Sequence, residues 1–294
     1  MAARIDPSLR DSYESCRKLH RRRDPTYYWA TRRLPPDVRP AVHALYAFVR
    51  EVDDVVDAPG GTPAAERRTE VALWEERLRR AMAGRPPGHP VVAALADAGR
   101  RHDLPLHELD LYFDSMRIDC GPVRVQTWPE LERYMLGSAG SVGHILGALL
   151  GAPEAGREPF ERLALGFQLT NFVRDVREDW ELDRVYMPAE DLERFGVSTR
   201  DIARGEPTPG FRRLLALDVE RARALFREGA AAMEVVSPSV RRGMRMAHCV
   251  YEGVLNRTER LGFDVLRHRA ALPPWELAGV VATGLRASAF ARSA

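Results

Sequence analysis

The sequence predicts an all-α fold, and three observations carry that prediction. Apolar residues recur at the three- and four-residue spacing of a helix face through most segments between prolines and glycines. No segment sustains the period-two alternation with hairpin turns that an extensive sheet requires. No Gly/Ser-rich or Pro-rich linker divides the 294 residues, so residues 1–294 are expected to form a single domain. With 45% hydrophobic and 29% charged residues, the chain can bury a large core.

The elements follow in order. The run Arg17-Lys18-Leu19-His20-Arg21-Arg22-Arg23 makes residues 1–22 a candidate basic N-terminal helix. Its charged face is either solvated or meets an anionic membrane surface or a diphosphate. Beyond Arg33-Leu34-Pro35-Pro36-Asp37, a helix starting near Val38 runs through Val42, Leu45, Tyr46 and Val49 and ends before Pro59-Gly60-Gly61. Thr62 reads as an N-cap with Pro63 in the first turn, opening a helix through Leu73, Trp74 and Leu78 to about Met82. Pro86-Pro87-Gly88 breaks it. Helical spacing predicts further helices over 90–102, 105–117, 128–151, 157–182, 210–236, 238–268 and 273–291.

Composition excludes several functions. A net charge of +2 is too small to argue for a nucleic-acid partner. Cys16, Cys120 and Cys249 are far apart, odd in number and in no metal-type spacing, which fits a reducing cytoplasm. The start, Met1-Ala2-Ala3-Arg4-Ile5-Asp6-Pro7, has no apolar signal-like core, and no stretch reaches the roughly 18 uninterrupted apolar residues of a membrane span. A cytoplasmic location is expected, with any membrane contact peripheral. The eight histidines form no zinc-like pattern, so His43, His144 and His248 are read as satisfied helix residues. No Gly-x-Ser-x-Gly elbow, P-loop or Gly-x-Gly-x-x-Gly dinucleotide loop is present.

Two acidic clusters carry the chemistry: Asp53-Asp54-Val55-Val56-Asp57, and the stretch from Asn171 to Asp179. Residues four apart share a helix face, so Asp53 and Asp57 project together, as do Asn171, Asp175 and Asp179. Both helices can therefore aim carboxylates at one cavity. Such carboxylates repel one another unless a cation lies between them, and hard oxygen donors suit Mg²⁺, with Mn²⁺ the alternative ion. A diphosphate is the natural third party. Arg50, three residues before Asp53, lies near that face and could bind an anionic oxygen; a solvated Arg–Asp pair is the plainer alternative. Gln168, seven residues before Asp175, extends the second stripe, for which the alternative is an exposed charged face paired with Arg174 and Arg177. Between the clusters, Gly137, Gly140, Gly143 and Gly147 recur at helical spacing, each costing about 1 kcal/mol relative to Ala. Close helix packing or a smooth wall for a long apolar ligand would offset that cost.

Taken together, five segments resemble the squalene/phytoene synthase family of head-to-head prenyltransferases. They are Ala30 to Pro35, Tyr46 to Asp57, Tyr134 to Gly143, Gln168 to Asp179, and Arg184-Val185-Tyr186-Met187-Pro188. The similarity runs from about Tyr27 to about Arg269. It implies an isoprenoid synthase helical bundle with a central cavity, in which Mg²⁺ bridges both acidic motifs to the substrate diphosphate. By position, Asp53, Asp57, Asn171, Asp175 and Asp179 match metal or metal-water ligands. Tyr27, Arg50, Gln168, Arg184 and Tyr251 match substrate-side groups, and Tyr134 matches a tyrosine near the reacting carbons. The resemblance thus assigns catalytic roles to Tyr134, Asp53, Asp57, Asp175 and Asp179. The implied reaction ionises one prenyl diphosphate, alkylates a second to a cyclopropyl intermediate, and ends in proton loss or hydride transfer.

The run Arg39 to Tyr46 and the stretch Gly262-Phe263-Asp264-Val265-Leu266 look closer to bacterial phytoene synthases than to squalene synthases. The expected activity is therefore condensation of two geranylgeranyl diphosphates. The alternatives are a squalene-type synthase using farnesyl diphosphate and NADPH, and a terpene cyclase acting on one prenyl diphosphate. One departure bears on that choice: Arg23-Asp24-Pro25-Thr26-Tyr27 stands where many members carry a His-Gly-x-Ser/Thr-Phe/Tyr flap. Oligomeric state is not legible in the sequence.

Overall fold

The computed structural model describes residues 5–58, 62–273, 275–277 and 279–280. Helix α1 (Arg10–Arg23) is followed at once by α2 (Pro25–Thr31). The Asp24-Pro25 pair makes that junction: the Asp24 side chain accepts from the Tyr27 amide at 2.8 Å, and Pro25 occupies the first turn, where no amide donor is needed. Then come α3 (Arg39–Val56), α4 (Ala64–Met82), α5 (Pro90–His102) and α6 (Leu109–Asp119). Helix α6 runs two residues past the expected end at 117, which brings Asp119 into the bundle.

The expected helix over 128–151 is α7 (Trp128–Met135) and α8 (Ser141–Leu149), joined by a π turn over Leu136–Gly140. The wider turn and the glycines have one physical cause. A methyl group on Gly137 would lie 2.2 Å from Ser115 Oγ and 2.5 Å from the Leu111 carbonyl oxygen on α6. One on Gly143 would lie 2.8 Å from Ala164 Cβ and 2.9 Å from the Phe160 carbonyl oxygen on α9 (Glu158–Arg174). Close helix packing therefore accounts for these glycines.

The expected helix over 157–182 is interrupted: α9 ends at Arg174, Asp175 leaves helical geometry at φ −106° and ψ 19°, and α10 (Val176–Glu181) resumes. Two short helices absent from the expectation, α11 (Ala189–Phe195) and α12 (Thr199–Arg204), follow. The second opens on a reciprocal capping box between Ser198 and Asp201. Helices α13 (Pro209–Glu228) and α14 (Pro238–Arg260) end earlier than expected, and residues 281–291 of the last expected helix lie outside the described residues. The only strands among the described residues are β1 (Val123–Arg124) and β2 (Arg184–Val185), paired in parallel with Val123 opposite Arg184.

One continuous apolar cluster runs through the bundle, with Phe48, Tyr112, Phe113, Leu165, Leu169 and Phe211 fully buried. Helix α3 packs on α1, α4, α5 and α6, and α9 packs on α8, α13 and α14. The two acidic motifs thus lie at the ends of α3 and α9, each packed on at least three other helices. The basic N-terminal run divides: Arg17 donates to Tyr28 Oη at 2.9 Å and to Glu14, His20 is buried, and Arg21 and Arg22 are exposed. Cys16, Cys120 and Cys249 are free thiols. Among the described residues no helix is long and apolar enough to cross a membrane.

Gly137→Ala tests the packing. Neither the Ser115 hydroxyl nor the Leu111 carbonyl has room to retreat, so the variant is expected to lose about 1 to 3 kcal/mol of stability, read from denaturant unfolding.

Candidate active site

Side-chain geometry at the end of α3 is set by which neighbours reach each carboxylate. Asp53 accepts from Tyr112 Oη on α6 at 2.8 Å, and the same hydroxyl contacts the Val49 carbonyl at 3.0 Å. Asp57, the last residue of the motif, takes a 2.7 Å bond from Arg184 Nη1. Arg184 Nη2 donates to the main-chain carbonyls of Val56 (2.9 Å) and Asp119 (3.0 Å), so one guanidinium on β2 ties the ends of α3 and α6 together. Arg184 is buried, and its Nε has no partner. Asp54 points to the other side, where Arg50 meets it at 2.6 Å and Arg23 closes the pair from the end of α1. Arg50 therefore pairs with Asp54, four residues on, and makes no bond to Asp53 or Asp57; its Nε is buried without a partner.

The second motif survives the break in its helix. The Asp175 amide donates to the Asn171 carbonyl and the Asp179 amide to the Asp175 carbonyl, both at 2.8 Å, so the three residues keep one stripe. Asp175 is held by Arg174 Nε at 2.8 Å and by Arg269 at 3.3 Å, and Arg269 also reaches Glu178 at 3.0 Å. Arg177, by contrast, pairs with Glu181 at the surface. Gln168 is half-buried on the same helix. Tyr251, on α14, lies beside Asn171 and Arg174. Tyr27, on α2, adjoins Tyr251 and has its ring 5.9 Å from that of Tyr46 and 4.9 Å from that of buried His20.

The charge balance of this region is negative and poorly solvated. Burial pushes Asp53 up to about 7, with Asp57 and Asp119 adding to the rise and the Tyr112 bond opposing it. Burial and the neighbouring Asp175 push Asp179 up to about 8, against the pull of Arg184. Asp119 rises to about 6 by burial, opposed by Arg184 and by two tyrosine hydrogen bonds. Carboxylates that resist ionisation for want of a nearby cation are a donor set that suits a hard divalent ion. Among the described residues, no three His, Cys, Asp or Glu side chains converge closely enough to hold an ion unaided. The oxygens stand on separate elements, so a shared ion needs further oxygens from a bound group.

Beside the acids is an aromatic wall. Phe172 stacks on Tyr186 at 4.0 Å, Tyr134 lies 5.2 Å from Tyr186, and Phe167 lies 4.5 Å from Tyr251. Tyr27, Asp53, Phe167, Phe172 and Tyr251 are half-buried. Tyr134 donates its hydroxyl to Asp119 Oδ2 at 2.5 Å, and Tyr186 donates to Asp119 Oδ1 at 2.9 Å. No spacing signal in the sequence marks Asp119, which belongs to neither acidic motif and closes a helix that the periodicity ends two residues too early. Of the histidines, His43 meets His20 at 2.9 Å between Nδ1 atoms, and His144 lies between Glu108 and Glu161.

Known proteins are similar to this chain over nearly its whole length. The squalene/phytoene synthase family model matches residues 20–276. A phytoene synthase of Thermus thermophilus is 33% identical over 287 residues, covering 98% of this chain and 97% of the relative. A 15-cis-phytoene synthase of Synechocystis is 32% identical over 279 residues, covering 90% of this chain and 82% of the relative. Among solved structures, a squalene synthase from Alicyclobacillus acidocaldarius superposes with a TM-score of 0.79 at 31% identity, covering 88% of this chain and 97% of its own. A dehydrosqualene synthase solved with a ligand gives 0.87 at 23% identity, covering 98% and 99%, and so shares the fold.

Arg184→Gln removes the cation that faces Asp57 and leaves two buried carbonyls short of a donor. The expected cost is about 3 kcal/mol, measured by chemical denaturation. Arg177→Gln, at an exposed pair, is expected to cost at most about 0.5 kcal/mol in the same experiment.

Proposed function

The chain belongs to the squalene/phytoene synthase family, and from that premise we propose that it joins two geranylgeranyl diphosphates head to head to form phytoene. The observation that carries this reading is the pair of acidic motifs set beside an aromatic wall, in a chain about one-third identical to phytoene synthases over nearly its full length.

Asp53 and Asp57 on α3, with Asn171, Asp175 and Asp179 across α9 and α10, would hold Mg²⁺, or Mn²⁺ in its place. Bound there, the ion supplies positive charge to the departing diphosphate. The chain's own cations serve the same end. Arg50, held by Asp54 through Nη2, would turn its remaining terminal donors to a diphosphate oxygen. Arg23, the departure from the family flap, adds a second guanidinium beside it through the shared Asp54. Gln168, Tyr251 and Tyr27 line the approach, and Arg184 holds Asp57 in position.

Ionisation breaks a C–O bond and leaves an allylic cation, which needs a dry, electron-rich surround to escape capture by water. Phe167, Phe172 and the buried ring of Tyr134 provide it, since an aromatic face attracts positive charge. The cation alkylates the double bond of the second substrate, and proton loss closes a cyclopropane. A second ionisation, rearrangement and a last proton loss give phytoene, with no reductant consumed. The 31% identity to a solved squalene synthase favours one rival, a farnesyl diphosphate condensation ended by NADPH hydride transfer.

Mass spectrometry of products from geranylgeranyl and farnesyl diphosphates, with and without NADPH, separates the two. The expected product is a C40 triene core formed without NADPH; product from farnesyl diphosphate alone would sink the assignment. Chelation of divalent ions is expected to stop diphosphate release, and readdition of Mg²⁺ to restore it.

Proton competition gives a further expectation. Asp53 and Asp179 lose their protons only near 7 and 8 without a cation, so ion binding must displace protons below those values. The Mg²⁺ concentration for half-maximal rate should therefore fall as pH rises through that interval, and a flat titration would contradict the assigned ligands.

A further inference from the structure

We propose that Asp119 is a positioning residue that receives, through Tyr134, the proton lost in the last step of phytoene formation. The inference rests on the reading of the chain as a phytoene synthase and concerns a residue outside both acidic motifs.

The geometry is that of a relay. Asp119 is buried, and its carboxylate lies behind the hydroxyls of Tyr134 and Tyr186. Both of its carboxylate oxygens accept from tyrosine hydroxyls, Tyr134 at 2.5 Å and Tyr186 at 2.9 Å. The two hydroxyl oxygens are themselves 3.3 Å apart. Arg184 donates to the main-chain carbonyl of Asp119 and not to its carboxylate, which stays free of a bonded guanidinium. A phenol carries one proton and two acceptor lone pairs. With its proton committed to Asp119, Tyr134 can offer only lone pairs to a neighbouring carbocation. A neutral phenol is too weak a base to take a proton and keep its own, so acceptance must be concerted with transfer onward.

The step balances. A C–H bond next to the cationic carbon breaks and its electron pair becomes the new C=C bond. The proton passes to Tyr134 Oη as the Tyr134 proton passes to Asp119 Oδ2. Tyr134 ends neutral, Asp119 ends protonated, and no oxidant or reductant is used. A cavity of about 20 Å³, room for a single water, adjoins Tyr186 and is bounded also by Asp179 and Asp218. Through Tyr186 and that water, Asp119 can discharge its proton before the next turnover.

The test compares products of geranylgeranyl diphosphate and Mg²⁺ for the wild-type protein and Asp119→Asn. Asn keeps an acceptor oxygen for the Tyr134 hydroxyl and removes the base. If proton loss runs through Asp119, the undischarged cation is captured by water, and the ratio of C40 alcohols to phytoene rises about 100-fold, the low end of what a general base contributes. That ratio does not depend on total rate, so a variant that only lowers the amount of folded enzyme leaves it unmoved, and an unchanged unfolding midpoint in Asp119→Asn excludes a loosened site. An unchanged ratio in Asp119→Asn overturns the relay. Should that variant fail to fold, Tyr134→Phe decides the same question, because it removes the first atom of the path and leaves Asp119 in place: a raised ratio supports the relay and an unchanged one overturns it. Asp119→Glu, which restores the base, is expected to bring the ratio back toward wild type. A wild-type protein that makes no phytoene overturns the assigned function and the relay with it.

Discussion

The Arg184 guanidinium is the interaction on which the rest of the site depends. It is buried at the one place where the ends of α3, α6 and β2 meet, and it bonds Asp57 and two main-chain carbonyls at once. Taking a charge out of water is costly unless it is paired, so its position is tightly constrained by those three partners. The two-residue parallel ladder serves the same end: it anchors the strand that delivers Arg184 by pairing it with Val123. With that one cation in place, the bundle can hold Asp53, Asp57, Asp119 and Asp179 near one another and still fold.

One guanidinium does not neutralise four carboxylates. The shortfall shows in Asp53 and Asp179, which burial and like charge hold back from ionising until about 7 and 8. A cation entering such a site would remove repulsion already present, which is the electrostatic basis of the proposed metal role. The charge cluster and the aromatic wall belong together physically. In the proposed reaction the acids would draw counter-charge to the leaving group, while Phe172 stacked on Tyr186 would keep the reacting carbons away from water.

Close packing elsewhere makes this arrangement rigid. Helix α9 is enclosed by α8, α13 and α14, and the glycines of the preceding helix let backbones approach to distances that a methyl group would forbid. The break at Asp175 is local: the hydrogen bonds from Asp175 to Asn171 and from Asp179 to Asp175 carry the stripe across it. Arg174 and Arg269 then hold Asp175 from the side, so the carboxylate keeps its place without regular helix beneath it.

By itself the sequence determined the helical class, the two acidic stripes and the family. Those features are local, written in spacing along one chain segment: four residues between Asp53 and Asp57, and again along Asn171, Asp175 and Asp179. Short-range periodicity could not place Arg50 on Asp54, because positions three and four residues on are both within reach, and only the incoming Arg23 shows which side is occupied. Nor could it reveal Asp119, whose importance comes from Tyr134 and Tyr186, 15 and 67 residues away in the chain. The same holds for the glycines, whose alternatives of packing and ligand space are equal until Ser115 and Phe160 are seen to press on them. Tertiary structure decided these matters because charge pairing and contact are set by distance in space, and a helical repeat reports only the neighbours on its own face.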